Sequence, residues 1–133
     1  MSDEKKIYID FKINQAKETY AAAEIMFENK MYNSVSNRIY YASFYIVQAA
    51  LHKFDQQSSS HKGAKILFNQ SFIKEKKTEE KWGVFYSKIF ALRDDGDYGD
   101  FVVYTKEQVE ELFLQTKIFI ETIEQLIHDQ RTL

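Results

Sequence analysis

With 133 residues, no cysteine and a net charge of −2, the chain excludes disulfide frameworks, thiolate metal sites and a cysteine nucleophile, and it carries no global basic field. Its 44% hydrophobic and 29% charged residues fit an ordinary soluble globule, with one domain expected across 1–133. No apolar run nears the roughly 18 residues of a bilayer crossing, and the charged start "MSDEKKIYID" has no signal core, so a cytoplasmic location is expected.

Proline is absent and glycine occurs only at 63, 83, 96 and 99, which argues for an all-α fold, an antiparallel bundle of four to five helices. A first helix is expected over about residues 5–29, with Ile13, Ala16, Tyr20, Ala23 and Phe27 at spacings of three and four. A second, over about 32–53, is apolar on most sides and should be central. Its stripe Ile39, Ala42, Ile46, Ala50 runs beside another of Arg38, Tyr41, Tyr45, Gln48 and His52. Serines 58–60 offer caps for a third helix carrying Ala64, Leu67, Phe68 and Phe72. Thr78 reads as the cap of a fourth, with Trp82, Phe85, Ile89 and Leu92 inward and Arg93 in its last turn. Thr105 and Gln108 form a capping box for a fifth, whose seam is Val109, Leu112, Thr116, Phe119, Ile123 and Leu126.

Between the fourth and fifth helices lies "RDDGDYGDF" (93–101), expected to be an acidic, glycine-marked loop. Its aspartates 94, 95, 97 and 100 do not follow the calcium-loop order, so no metal and no cofactor is expected. A solvated turn fits better, with Gly96 and Gly99 in backbone angles that other residues resist. Arg93, Asp97 and Tyr98 can together grip a phosphate and place a proton-handling group beside it; the plainer alternative is an Arg93–Asp97 ion pair that closes the turn. Arg38, among Tyr40, Tyr41 and Tyr45, needs a partner if buried, with the loop aspartates the obvious choice; it is either a structural ion pair or a second anion contact. His61, between Ser60 and Lys62 at a helix start, is placed to meet an anion or handle a proton, or simply to cap. His52 and His128 have no supporting neighbours in the sequence.

These pieces also resemble a known family. "ETYAAAEIMFENKMYNSVSNRIYYASFYIVQAAL" (18–51), "SHKGAKILFNQSFIK" (60–74) and "FALRDDGDYGDF" (90–101) are similar, in order and spacing, to the HEPN superfamily (higher eukaryotes and prokaryotes nucleotide-binding), especially its small stand-alone prokaryotic members. The resemblance implies a four- to five-helix bundle, usually a homodimer. It implies either a metal-independent RNase of a toxin–antitoxin or defence pair, or a non-catalytic module that binds nucleotides or partners a minimal nucleotidyltransferase. RNase members carry an arginine followed, after four to six residues, by histidine. Arg93 matches the arginine, while the permitted histidine positions hold Tyr98, Gly99 and Asp100. A tyrosine, with an ordinary pKa of about 10, is a poor acid–base group near neutrality. The expected site is therefore Arg93, Tyr98 and His61 for chemistry, with Arg38, Tyr41, Asp97, Ser60 and Lys62 for binding RNA or a nucleotide.

Overall fold

The computed structural model describes residues 2–98 and 101–129, with the backbone alone for 96–98. It contains α1 (Asp3–Glu28), α2 (Tyr32–Lys53), α3 (His61–Phe68), α4 (Glu80–Tyr98) and α5 (Lys106–His128), with a π-helical turn, Asn69–Ile73, continuing α3. Among the described residues there is no strand, and no helix is long and apolar enough to cross a membrane.

Ser2 caps α1 by accepting the Lys5 N–H at 3.2 Å, and Asp3 and Glu4 face the positive end of the helix. Ile9, Ile13, Ala16, Tyr20 and Ala23 are buried along the three-four seam. α2 is the central element, covered by α1, α3, α4 and α5. Val35, Ile39, Tyr40, Ala42, Ile46, Val47, Ala49, Ala50 and Leu51 are fully buried within one chain. The large apolar side chains left exposed lie elsewhere, among them Ile7 and Phe11 on α1 and Leu114 and Ile118 on α5.

Two boundaries differ from expectation. α4 begins at Glu80, so Thr78 is not its cap residue. More consequentially, α4 continues past Arg93 through Tyr98, so residues 94–98 are helix rather than loop. Tertiary packing explains the difference: Ile89 and Arg93 are buried, and the Tyr104 hydroxyl donates to the Leu92 carbonyl at 2.6 Å. Against such anchors a mid-helix glycine costs only about 1 kcal/mol. Gly96 is accordingly helical, and among the described residues no glycine adopts a positive φ. The Thr105–Gln108 cap forms as expected, the Gln108 Oε1 accepting the Thr105 N–H at 2.7 Å.

Candidate functional site

Tyr40 lies on the α2 face shared with Phe44, Val47 and Leu51, and it is the one member of that stripe with a polar tip. Its hydroxyl is 2.9 Å from Nδ1 of His61, the first residue of α3. Ser60 positions that helix start by accepting the Gly63 N–H at 2.9 Å. Ser58 Oγ donates in turn to the Ser60 carbonyl at 3.2 Å. A Cβ on Gly63 would collide with both serine Oγ atoms, so glycine is what lets residues 58–60 fold over the first turn. The His61 ring is half-buried against Phe44 (4.6 Å between centroids), Tyr40 and Tyr41 (5.5 Å each).

Behind Tyr40 lies Arg93, only 4% exposed. Its guanidinium carbon is 4.8 Å from the Tyr40 ring centre, 5.9 Å from Tyr41 and 6.0 Å from Phe90. This is a desolvated cation–π arrangement, in which each ring face attracts the charge. Asp94 Oδ1 stands 3.8 Å from Arg93 Nη2. Tyr86, fully buried, has its ring 6.2 Å from that of Tyr40. Its hydroxyl makes no hydrogen bond of good geometry, yet lies close enough to the Tyr40 hydroxyl to influence its ionisation.

Burial pushes the Tyr40 phenol up to about 12, against smaller downward pulls from the Tyr86 hydroxyl and the Arg93 charge. Tyr86 is raised well above its ordinary value, again first by burial. His61 moves below the usual histidine range, first through burial and then through Arg93. Near neutrality the cluster thus holds a neutral imidazole, two neutral phenols and one permanent cation. A neutral imidazole can accept a proton, and which partner donates in the Tyr40–His61 bond switches with the imidazole tautomer.

The residues singled out in the sequence fall into three groups. His61, Tyr41 and Arg93 converge on Tyr40, and Arg38 joins them through Tyr41. Arg38 does not reach an aspartate among the described residues: its Nε and Nη2 donate to Asn37 Oδ1 at 3.0 and 2.6 Å, and its guanidinium lies 5.4 Å from the Tyr41 ring. Asp94 stands beside Arg93 instead. Ser60 serves as the α3 cap and Lys62 is exposed on the same turn. The Asp97 and Tyr98 side chains lie outside the described residues, so the Arg93–Asp97 pair does too. Arg93 is helical, as expected, but it is buried inside a helix that runs on past it rather than standing in a last turn at the mouth of a loop. Tyr40 and Tyr86 were not anticipated as site residues; the signal was a tyrosine within an otherwise apolar helix stripe, whose hydroxyl needs a partner. Among the described residues no group of three or more His, Cys, Asp or Glu side chains could hold a metal ion.

The class defined here is a small all-α bundle that buries an arginine and two tyrosines behind the histidine opening a short helix. The chain belongs to the HEPN domain family, which matches residues 9–126. It is similar to a UPF0332 protein of Thermotoga maritima, 35% identical over 127 residues that cover 96% of each chain. It is also similar to two Methanocaldococcus jannaschii proteins, each named "putative toxin". One is 31% identical over 88% of this chain and 87% of its own; the other is 27% identical over 81% and 74%.

Proposed function

We propose that this chain is a toxin-type HEPN protein that engages the phosphate of RNA or of a nucleotide at the Tyr40–His61–Arg93 cluster. The names of its relatives support the first half. The second rests on one observation: a half-buried, neutral His61 is held by Tyr40 in front of a buried permanent cation. An anion arriving at the start of α3 meets the positive end of that helix and Lys62, with the fields of Arg38 and Arg93 behind them. If RNA is cut there, His61 takes the proton from a 2′-hydroxyl as that oxygen bonds to the adjacent phosphorus. The bond to the 5′-oxygen breaks, leaving a cyclic phosphate. Tyr98, where HEPN nucleases keep histidine, returns a proton to the leaving oxygen. Pairing as a homodimer belongs to the same proposal, and light scattering tests it.

A specific observation favours a second reading, a non-catalytic module that binds a nucleotide or a minimal nucleotidyltransferase. An arginine 4% exposed and stacked on a ring holds the site in shape rather than gripping a phosphate directly. The experiment incubates single-stranded RNA with the wild type, His61→Ala and Tyr98→His in the presence of a chelator. Cleavage that His61→Ala slows by about 10²–10⁴ supports the nuclease. Absence of cleavage with retained binding, lost in His61→Ala, supports the module. Neither binding nor cleavage of RNA or nucleotide refutes the nuclease and the nucleotide module alike, and leaves only the nucleotidyltransferase partner.

A further inference from the structure

A phosphate needs a cation that it can touch, and the two arginines of the cluster are already engaged. Arg93 is 4% exposed and lies against the Tyr40 ring. Arg38 turns Nε and Nη2 into Asn37 Oδ1. An anion at the His61 turn would feel the Arg93 charge only through the rings in front of it.

Lys65 is an accessible cation on the histidine's own face of α3. It follows His61 by four residues, which brings it back to within about 40° of the histidine, one turn further on. Lys62, rotated about 100° from His61, adds its field from the side. Side chains lean towards the N-terminus of their helix, so Lys65 reaches back towards the His61 turn. Its Nζ stands 4.8 Å from the centre of the Phe90 ring. That ring meets Tyr40 edge-on at 5.8 Å and lies 6.0 Å from the Arg93 guanidinium carbon. Tyr40 in turn holds His61. Lys65 is half-buried, as suits an apolar stem that packs while its charge stays wet. Among the described residues it makes no hydrogen bond or ion pair, and Phe90 is the one ring beneath it. Asp94, the acid at this end of α4, stands beside Arg93 instead.

We infer that Lys65 is the residue that bonds directly to the phosphate at the His61 cluster, while Arg93 acts from behind the rings; the inference rests on the phosphate-binding reading above. An ammonium is a compact charge on a flexible stem, so Lys65 can swing from Phe90 to an incoming oxygen without disturbing the bundle. Phe90 parks the charge beside the site while it is empty. If RNA is cut there, the ammonium faces the non-bridging oxygens, where negative charge builds as the 2′-oxygen adds to phosphorus.

The test measures binding of a short labelled single-stranded RNA and of AMP across a range of salt concentrations. It compares the wild type with Lys65→Met, Lys65→Arg, Lys62→Met and His61→Ala, with circular dichroism melts confirming that each variant folds. Lys65→Met keeps a stem over Phe90 and removes only the charge. It should weaken binding by roughly tenfold or more, the effect of one lost hydrogen bond to a charged group. On RNA it should also flatten the plot of log affinity against log salt by about 0.7, the share of one phosphate contact to a single strand. Lys65→Arg should retain that slope, and Lys62→Met should lose less affinity than Lys65→Met. A loss seen with AMP identifies a phosphate monoester as the ligand, and a loss seen with RNA alone identifies a phosphodiester. An equal loss in Lys62→Met would reduce Lys65 to part of a diffuse field and overturn the direct bond. Wild-type affinity and slope in Lys65→Met, with binding still lost in His61→Ala, also overturns it and leaves the phosphate reading standing; Lys65 then only covers Phe90. Failure of the wild type to bind either probe overturns both.

Discussion

The Tyr40 hydroxyl and the His61 Nδ1, 2.9 Å apart across 21 residues of chain, join the middle of the central helix to the first residue of α3. This bond places the imidazole, and its surroundings decide its charge. Burial and the Arg93 guanidinium both hold His61 below its ordinary value near 6.5. Between the folded and unfolded values the unfolded chain binds more protons, so stability rises with pH across that window and is lost as pH falls through it. The urea midpoint of the wild type should therefore drop between about pH 7.5 and about pH 5, and His61→Gln should show a smaller drop. Equal drops in the two proteins would assign the acid sensitivity to other groups.

Arg93→Met removes the charge while retaining much of the volume. Because Arg93 is a secondary cause of the depressed His61 value, the imidazole should titrate closer to its ordinary range, though burial will keep it below. Loss of a desolvated cation–π contact should also cost about 2 kcal/mol in chemical denaturation. Arg93→Lys keeps the charge but not the planar stacking, so it should spare the titration better than the stability. Following the His61 ring protons by NMR separates the two effects, and an unchanged titration in Arg93→Met would show that the imidazole does not feel the guanidinium.

The helices were legible because their apolar spacing is strong, and the central position of α2 because nearly every side of it is apolar. The ends were less legible, for a physical reason. Helices commonly stop at a left-handed glycine, but here that conformation is taken by Asp55 (φ 61°) and by two lysines, Lys30 (φ 60°) and Lys76 (φ 56°), a residue type that announces no turn. Of the glycines that do appear, Gly96 misled, because it sits inside α4, whereas Gly63 is required by the serines packed on it. His61 was legible from "SHKG", but its bond to Tyr40 spans two elements and leaves no local mark. Arg93 was legible as important, whereas its burial depended on how α4 crosses α2.

Those left-handed lysines yield a stability prediction. A left-handed conformation costs a residue with a Cβ roughly 1–2 kcal/mol, part of which glycine returns through its greater freedom in the unfolded chain. Lys30→Gly and Lys76→Gly, both at exposed positions, should each stabilise the fold by about 0.5–1 kcal/mol. Asp55→Gly should gain less, because Asp55 also pairs with Lys5 at 2.9 Å. Thermal melts of the three single variants provide the comparison, and destabilisation by both lysine replacements would contradict the strain argument.

Lys53 is a buried cation that the sequence pattern concealed at the end of α2. Its Nζ donates to the carbonyls of Leu126, at 3.2 Å, Ile127 and Asp129, the last at 2.9 Å, and so caps the C-terminus of α5 where a positive charge is favoured. Hydrogen bonds from a charged group are worth about 1.5–3 kcal/mol. Lys53→Met should cost about that much and should speed amide exchange selectively in the last two turns of α5. A uniform increase across the bundle would mean that the residue acts through packing alone.

Gly63→Ala addresses the turn that carries the candidate site. The added methyl would strike the Oγ atoms of Ser58 and Ser60, which can rotate away only by giving up the cap on α3 and the bond that ties residues 58–60 together. Loss of an N-cap typically costs about 1 kcal/mol, so the variant should fold, melt lower and shift the His61 resonances through the displaced helix start. If the collision is the cause, removing one obstacle should soften it. Ser58→Ala combined with Gly63→Ala should then lose less stability than the two single changes added together, a coupling that a double-mutant cycle reads directly. Strict additivity would place the origin of the Gly63 effect in the helix backbone rather than in the serines above it.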